Sequence, residues 1–345
     1  MKTEAAILVE TGKPLELVEL ETPALNPGQV LVEIAYSGAC GTQVMEWRGD
    51  KGEDKWLPHC LGHEGSGTVL ETGSAVTKVK PGDKVVLSWI KGDGLEAGGA
   101  KYDWNGKTVN SGGVTTFQKH AVVSENRLTL IPAGLPMDVA ILLGCAAPTG
   151  MGAVFNVLKV RPGDAVAVFG TGGIGLNALM AAAFSGGVPI IGVDPKESRR
   201  ELAKQFGATD VIDPTAGDVV EQIKAIAPQG VDVAVEATGI PAVMEQAANS
   251  TRQQGGRAVV IGNAKYGAKL EISPNVFNAG KSFLGTWGGD SYPDRDYGRF
   301  GKLIASGRFP AKDLLSKPYS LAEADQALQD LASGKVGRPL IDMSL

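Results

Sequence analysis

The chain is 345 residues long, which at ~100–200 residues per domain favours two domains with cores that need no disulfide staples. Its 33 basic and 38 acidic residues leave a net charge of -5, without the basic excess of a general nucleic-acid binder. At 43% hydrophobic and 21% charged it is not a disordered chain, and its 47 glycines, about twice the usual ~7%, call for many tight turns and close backbone approaches.

The first third reads as strands. AAILVE, LELVEL and QVLVEIAY are short apolar or alternating runs, followed by GSGTVLETG, DKVVLSW and TFQKHAVV, all separated by Gly and Pro signals. Such punctuation predicts an antiparallel barrel or sandwich. Segment 91–113 holds seven glycines and little periodicity, and reads as a long surface excursion. Near residue 150 the pattern changes. AVAVF (165–169), IIGV (190–193), DVI, VDVAVEATG and GRAVVIG are apolar strands alternating with helical segments, among them KESRRELAKQFG, which stops at Gly207. Strands alternating with helices predict right-handed crossovers and a parallel sheet covered on both faces. From about 287 the chain returns to mixed structure, with an amphipathic helix in LAEADQALQDLASG and a last strand in RPLIDM. The uncharged stretches 139–158 and 165–193 are broken by Gly and Pro and read as buried core, not membrane spans. No secretory signal is visible at the N-terminus.

Gly170-Thr171-Gly172-Gly173-Ile174-Gly175 is a G-x-G-x-x-G run between a strand and a helix, and Asp194 ends the next strand 19 residues after Gly175. This is the context a dinucleotide-binding turn requires. Gly170 permits the tight turn, Gly172 the approach of pyrophosphate, and Gly175 the packing of helix on strand. The helix N-terminus then faces the phosphates. Asp194 can accept from both ribose hydroxyls, whereas a 2′-phosphate would repel it, so NAD is expected over NADP. Arg199 is a neighbour of the ribose or adenine, or an ordinary solvated helix residue.

Three cysteines at wide spacing exclude a disulfide framework and indicate a reducing, cytoplasmic setting. Cys40 in GACGTQ, His63 in LGHEGSG and Cys145 in LLGCAAPTG each adjoin a glycine. Two thiolates and an imidazole suit zinc and leave one position open. Their spacing alone is not a metal signature, and by itself it favours two inert buried cysteines and a core histidine. His59, His120 and Cys60 read as structural.

Cys40-Gly-Thr42, Gly62-His63-Glu64, Cys145 with Pro148-Thr149-Gly150, VKPGDKVV (79–86), GTGGIG with Asp194, and GATDVI (207–212), in this order, resemble the zinc-dependent alcohol dehydrogenases of the medium-chain dehydrogenase/reductase superfamily. The likeness spans essentially the whole chain. It implies an α/β protein: a Rossmann doubly wound parallel sheet domain at 149–286, and a GroES-like, mainly antiparallel β catalytic domain at 1–148 and 287–345. It implies catalytic zinc on Cys40, His63 and Cys145, a catalytic role for Thr42 as proton carrier, and Glu64 as a nearby group or transient ligand. Thr149, Gly170, Gly172, Gly173, Ile174, Gly175, Asp194, Arg199 and Arg338 would serve NAD, with Thr149 and Ile174 at the nicotinamide and Arg338 at the pyrophosphate. Trp89 and Phe117 would wall the substrate pocket, with Trp47 and Trp287 as weaker candidates. The implied reaction is hydride transfer between a primary, secondary or polyol alcohol and NAD through a zinc-bound alkoxide, in a homodimer or homotetramer.

Three departures from the family pattern stand out. No cysteine lies between Cys60 and Cys145, so the family's four-cysteine structural zinc loop is missing and one zinc per chain is expected. Met45 stands where a relay histidine is frequent, so protons need another route through Thr42. Gln43 replaces a frequent aspartate, which leaves the orientation of His63 open. Two other readings compete: a zinc-free quinone or enone reductase of the same superfamily, disfavoured by the three ligands together, and a non-catalytic NAD-binding protein, disfavoured by Thr42.

Overall fold

The alternating runs of Met1–Leu130 fold as ten strands: β1 (Lys2–Leu8), β2 (Glu16–Glu21), β3 (Gln29–Gly38), β4 (His59–Cys60), β5 (Glu64–Thr72), β6 (Lys84–Ser88), β7 (Lys101–Trp104), β8 (Lys107–Asn110), β9 (His120–Ser124) and β10 (Leu128–Leu130), with helix α1 (Gly41–Arg48) after β3. The computed structural model describes residues 1–345. They divide into a first unit (Met1–Cys145, Tyr292–Gly307 and Ala311–Leu345) and a second (Ala146–Ser291 and Arg308–Pro310).

In the first unit β1, β2, β7, β8 and β4 close a small barrel. Strand β3 runs antiparallel to β5 and β9 and stands between two cores. Val30, Val32 and Ile34 pack with Val85, Leu87, Phe117 and Leu128. Leu31 turns to the barrel core with Ile7, Leu20 and Tyr102. That double burial explains why VLV is a continuous apolar run, each side chain contributing about 1.5–3 kcal/mol.

The 91–113 segment carries more regular structure than its sequence suggests. Asn105 and Gly106, both at positive φ (52° and 81°), turn β7 into β8, which is the backbone an Asn-Gly hairpin turn requires. Tyr102 and Val109 then point into the core. The rest of the segment is held by a buried acid. Glu125 Oε1 accepts from the amides of Thr77 (2.6 Å) and Lys78 (2.7 Å), and Oε2 from that of Leu95 (2.7 Å). Ser124 Oγ accepts from the Ala97 amide, and Asn126 and Arg127 hold Glu96.

The second unit contains α2 (Ala146–Gly152), β11 (Val166–Phe169), α3 (Gly173–Phe184), β12 (Ile190–Val193), α4 (Glu197–Gln205), β13 (Asp210–Ile212), α5 (Val219–Ile226), β14 (Val233–Glu236), α6 (Pro241–Ser250), β15 (Arg257–Val260) and β16 (Ser282–Gly285). Its six strands are all parallel in the order β13-β12-β11-β14-β15-β16. The order reverses between β11 and β14, and a ligand crevice opens at the strand C-termini beside such a switch. Gly207, at φ 103°, follows α4 as its left-handed stop.

The chain then returns to the first unit with α7 (Pro293–Ala305), β17 (Pro318–Tyr319), α8 (Ala324–Ser333) and β18 (Leu340–Asp342). Strand β18 pairs antiparallel with the end of β3. No single helix is long and apolar enough to cross a membrane.

Replacing Glu125 by Ala leaves three amides without their acceptor and should lower the unfolding free energy by about 2–4 kcal/mol, read as a lower urea midpoint. Glu125→Gln should fall between. Burial pushes the Glu125 carboxyl up, but the Leu95, Thr77 and Lys78 amides outweigh it and hold the carboxyl below its ordinary value. Its stabilisation is therefore complete above the usual carboxylate range and lost as pH falls through the lowered value. The wild-type midpoint should drop more steeply than that of Glu125→Ala over this acid range.

Candidate active site

Strand β3 ends at Gly38, and Cys40 takes an extended conformation (φ -127°, ψ 172°) to cap α1. Its sulfur accepts from the Thr42 amide at 3.3 Å, and Gln43 Oε1 accepts from the Cys40 amide at 2.9 Å. The C-x-x-Q spacing is thus a reciprocal helix cap with sulfur in place of hydroxyl. Gln43, 1% exposed, also meets His63 Nδ1 with its side-chain amide. That contact turns His63 Nε2 toward Cys40 Sγ, 3.3 Å away.

Gly62 puts His63 in place. Its φ is 84°, and a Cβ there would stand 2.3 Å from Thr116 Oγ1 and 2.9 Å from the Phe117 amide, so no other residue fits this bend. Cys145 sits at a break (φ -152°, ψ -63°) after the 3₁₀ turn Ile141–Gly144. Gly144 presses on Glu64 so closely that a Cβ would lie 2.8 Å from Glu64 Cα. The outcome is one cluster: ligand atoms of Cys40, His63 and Cys145 all lie within 4.8 Å of one another. Donors spaced about 3.5 Å apart are what a tetrahedral zinc with ~2.1–2.3 Å bonds requires, and the two buried sulfurs and one imidazole are zinc's donor set.

The Cys145 thiol donates toward Cys40 and, with the charges of His63 and Arg338, outweighs burial to hold Cys40 well below the ordinary thiol range. Cys145 is raised in turn by its hydrogen bond to Cys40 and by burial. Burial lowers His63, but the Cys40 thiolate outweighs it and the net shift is upward. Burial raises Glu64 and Arg338 opposes it. Arg338 Nη1 donates to Glu64 Oε1 inside the protein, with both side chains at most 3% exposed. Glu64 Oε2 and Arg338 Nε keep no hydrogen-bond partner.

The remaining first-unit candidates take varied places. Thr42 is half-buried beside the Cys40 sulfur. Phe117 is 0% exposed and belongs to the β3 core, beneath Gly62. Trp89 is half-buried against that core, and Trp47 donates to the Lys13 carbonyl. His59 is held by Asp54 and the Cys60 carbonyl. Burial alone raises the Cys60 thiol, which takes no part in the cluster.

In the second unit each glycine of the run has a distinct environment. Gly170 has φ 85°. A Cβ on Gly175 would lie 1.9 Å from the Gly170 carbonyl, whereas one on Gly172 would meet nothing within 4 Å. Packing therefore explains Gly175 but not Gly172, whose empty side is the cradle a pyrophosphate would fill. Gly172 caps α3 without a side-chain hydrogen bond, so the amides around Gly173 and Ile174 have no side-chain acceptor at the cap. Thr149 Oγ1 is buried without a partner. Asp194, 2% exposed, accepts from the amide and hydroxyl of Thr171 and from the Lys196 amide. Arg199 Nη1 lies 3.8 Å from Asp194. Trp287 is 77% exposed.

The orientation of His63, left open by Gln43, is thus set by Gln43 itself. One polar residue escapes a reading by motif: Glu236, fully buried at the C-terminal end of β14. Its Oε1 accepts from Thr238 and Gly239 while Oε2 has no partner. The signal was an acid closing the apolar run VAVE.

Residues 26–133 match the alcohol dehydrogenase GroES-like domain family, and residues 173–306 the zinc-binding dehydrogenase family. The chain is 36% identical over 313 residues to an S-(hydroxymethyl)glutathione dehydrogenase of Synechocystis sp., covering 83% of this chain and 85% of the relative. It superposes on the crystal structure of benzyl alcohol dehydrogenase from Acinetobacter calcoaceticus with a TM-score of 0.90, 32% identity and 99% of each chain covered. A zinc-binding dehydrogenase from Sinorhizobium meliloti bound to NADP superposes with a TM-score of 0.81 at 26% identity, again over 99% of each chain. With the Cys40–His63–Cys145 cluster and the glycine cradle in place, the chain belongs to the zinc-dependent alcohol dehydrogenases of the medium-chain dehydrogenase family.

Proposed function

We propose that this oxidoreductase moves a hydride between an alcohol carbon and NAD, with one zinc ion held by Cys40, His63 and Cys145. One observation carries the reading: two sulfurs and an imidazole nitrogen within 4.8 Å of one another, a set that would neutralise a divalent ion and, with only three protein ligands, would leave a position for a substrate oxygen. When bound, zinc supplies Lewis acidity toward that oxygen and the dinucleotide supplies the hydride acceptor or donor.

The chain's own residues do the rest. Gln43, whose side-chain amide lies against His63 Nδ1, limits how the ring can turn toward the ion. Thr42, whose backbone amide donates to the Cys40 sulfur, takes the alcohol proton on its hydroxyl. With Met45 in place of a relay histidine, that proton passes from Thr42 to water. Glu64 and Arg338 set the field around the sulfurs. Thr149 and Ile174 border the nicotinamide, while Trp89 shapes the substrate side; Phe117, fully buried in the β3 core, supports Gly62 from beneath instead of lining a pocket. Asp194 supports NAD over NADP, because its carboxylate would face a 2′-phosphate and Arg199 is drawn to Asp194 rather than left as a phosphate clamp. Strand β16, the edge of its sheet, with Phe277 and Trp287 exposed nearby in sequence, supports assembly into a dimer or tetramer. Three free cysteines fit the reducing cytoplasm.

Metal analysis should find one zinc per chain, and His63→Ala or Cys145→Ser should lose both the ion and alcohol oxidation. Full turnover in metal-free protein would overturn the reading. A screen with NAD spanning benzyl alcohol, diols and S-(hydroxymethyl)glutathione should identify the substrate class.

Asp194→Gly should weaken NAD binding by about 10- to 100-fold, the value of a lost charge-assisted hydrogen bond, and narrow the preference over NADP. An unchanged ratio of the two dissociation constants would remove Asp194 from cofactor choice. In sedimentation the protein should run as two or four chains, and a monomer at micromolar concentration would overturn the proposed assembly.

A further inference from the structure

We propose that Tyr297 and Ser88 are positioning residues that hold the metal ligand Cys145 in place through the Gly144 carbonyl. The inference rests on the zinc reading above and adds residues that neither a motif nor the ligand set points to.

The starting point is the break at Cys145. A helix through this segment would give the Gly144 carbonyl its partner four residues on, but that residue is Pro148, which has no N–H. Ser88 takes the place of that donor: its Oγ donates to the Gly144 carbonyl at 2.8 Å. With its single proton so committed, Ser88 Oγ can only accept elsewhere. It accepts from the Ile90 amide at 3.0 Å and from Tyr297 Oη at 2.7 Å. One proton out and two in saturate the hydroxyl, so the direction of the whole chain is fixed: Tyr297 to Ser88 to Gly144.

The chain ties two ligands to one rung of sheet. Ser88 ends β6 and lies opposite Glu64 in the β5–β6 ladder. Glu64 follows His63, and Gly144 precedes Cys145 while pressing on Glu64. Ser88 therefore carries the position of the His63 side across to the Cys145 side. Tyr297 is 0% exposed on α7, whose N-terminus is stitched to the same unit by Asp294 with Lys78 and the Asp93 amide. A phenylalanine would fill Tyr297's space. The hydroxyl is what Ser88 uses.

The test is Tyr297→Phe and Ser88→Ala in the full-length zinc-loaded protein, with Tyr102→Phe, a buried tyrosine of the barrel core, as control. Zinc transfer to a chromogenic chelator should run about 10-fold faster in Tyr297→Phe, the usual scale for loss of a group that orients a ligand. The gap between the thermal midpoints of zinc-loaded and zinc-free protein should narrow, and the thiolate-to-cobalt absorption band of Co2+-substituted protein should shift. Tyr102→Phe should leave all three at wild type. If Tyr297→Phe does not fold, Ser88→Ala is judged by the same criteria. Wild-type release and an unshifted cobalt band would overturn the proposal, as would equal effects in Tyr102→Phe, which would mean general loosening. Wild-type protein that takes up no zinc would overturn the metal reading itself, and this proposal with it.

Discussion

Two sulfurs and a ring nitrogen, drawn from residues 40, 63 and 145, occupy one small buried volume, and much of the first unit exists to keep them there. Such a set is costly without an ion, because thiolates lose solvation on burial. A divalent ion held by the three would offset that cost, and its binding energy would become folding energy.

Each ligand is placed by backbone rather than by side-chain choice. Cys40 is a helix cap, His63 follows a left-handed glycine, and Cys145 stands at a break beside a glycine with no room for a Cβ. This accounts for Gly62 and Gly144, the glycines before His63 and Cys145. It also shows why polar partners such as Gln43 and Ser88 matter: they fix groups that helix and strand geometry leave unsatisfied.

The second unit applies the same economy to a different ligand. A sheet buried on both faces presents its strand ends at the switch between β11 and β14, and the first crossover turn is stripped of side chains. Gly175 is demanded by packing on Gly170. Gly172 is demanded by nothing inside the protein, so its lack of a side chain points outward, to the ligand.

Much of this was legible in the one-dimensional text. Strand–helix alternation after residue 150 determined the parallel sheet, because each apolar run of four or five residues must be buried on both faces. The spacing from Gly170 to Asp194 determined the dinucleotide turn, because local geometry fixes that motif. The cysteines and histidine were identifiable only by resemblance, since their contact spans about a hundred positions and no periodicity encodes it. The 105–106 turn was readable as Asn-Gly, but the glycine-rich surroundings masked the hairpin. Tertiary structure alone decided the pairings of Gln43 with His63, Arg338 with Glu64, and Glu125 with three distant amides. A polar side chain carries no mark of its partner until folding removes water and leaves one donor within reach.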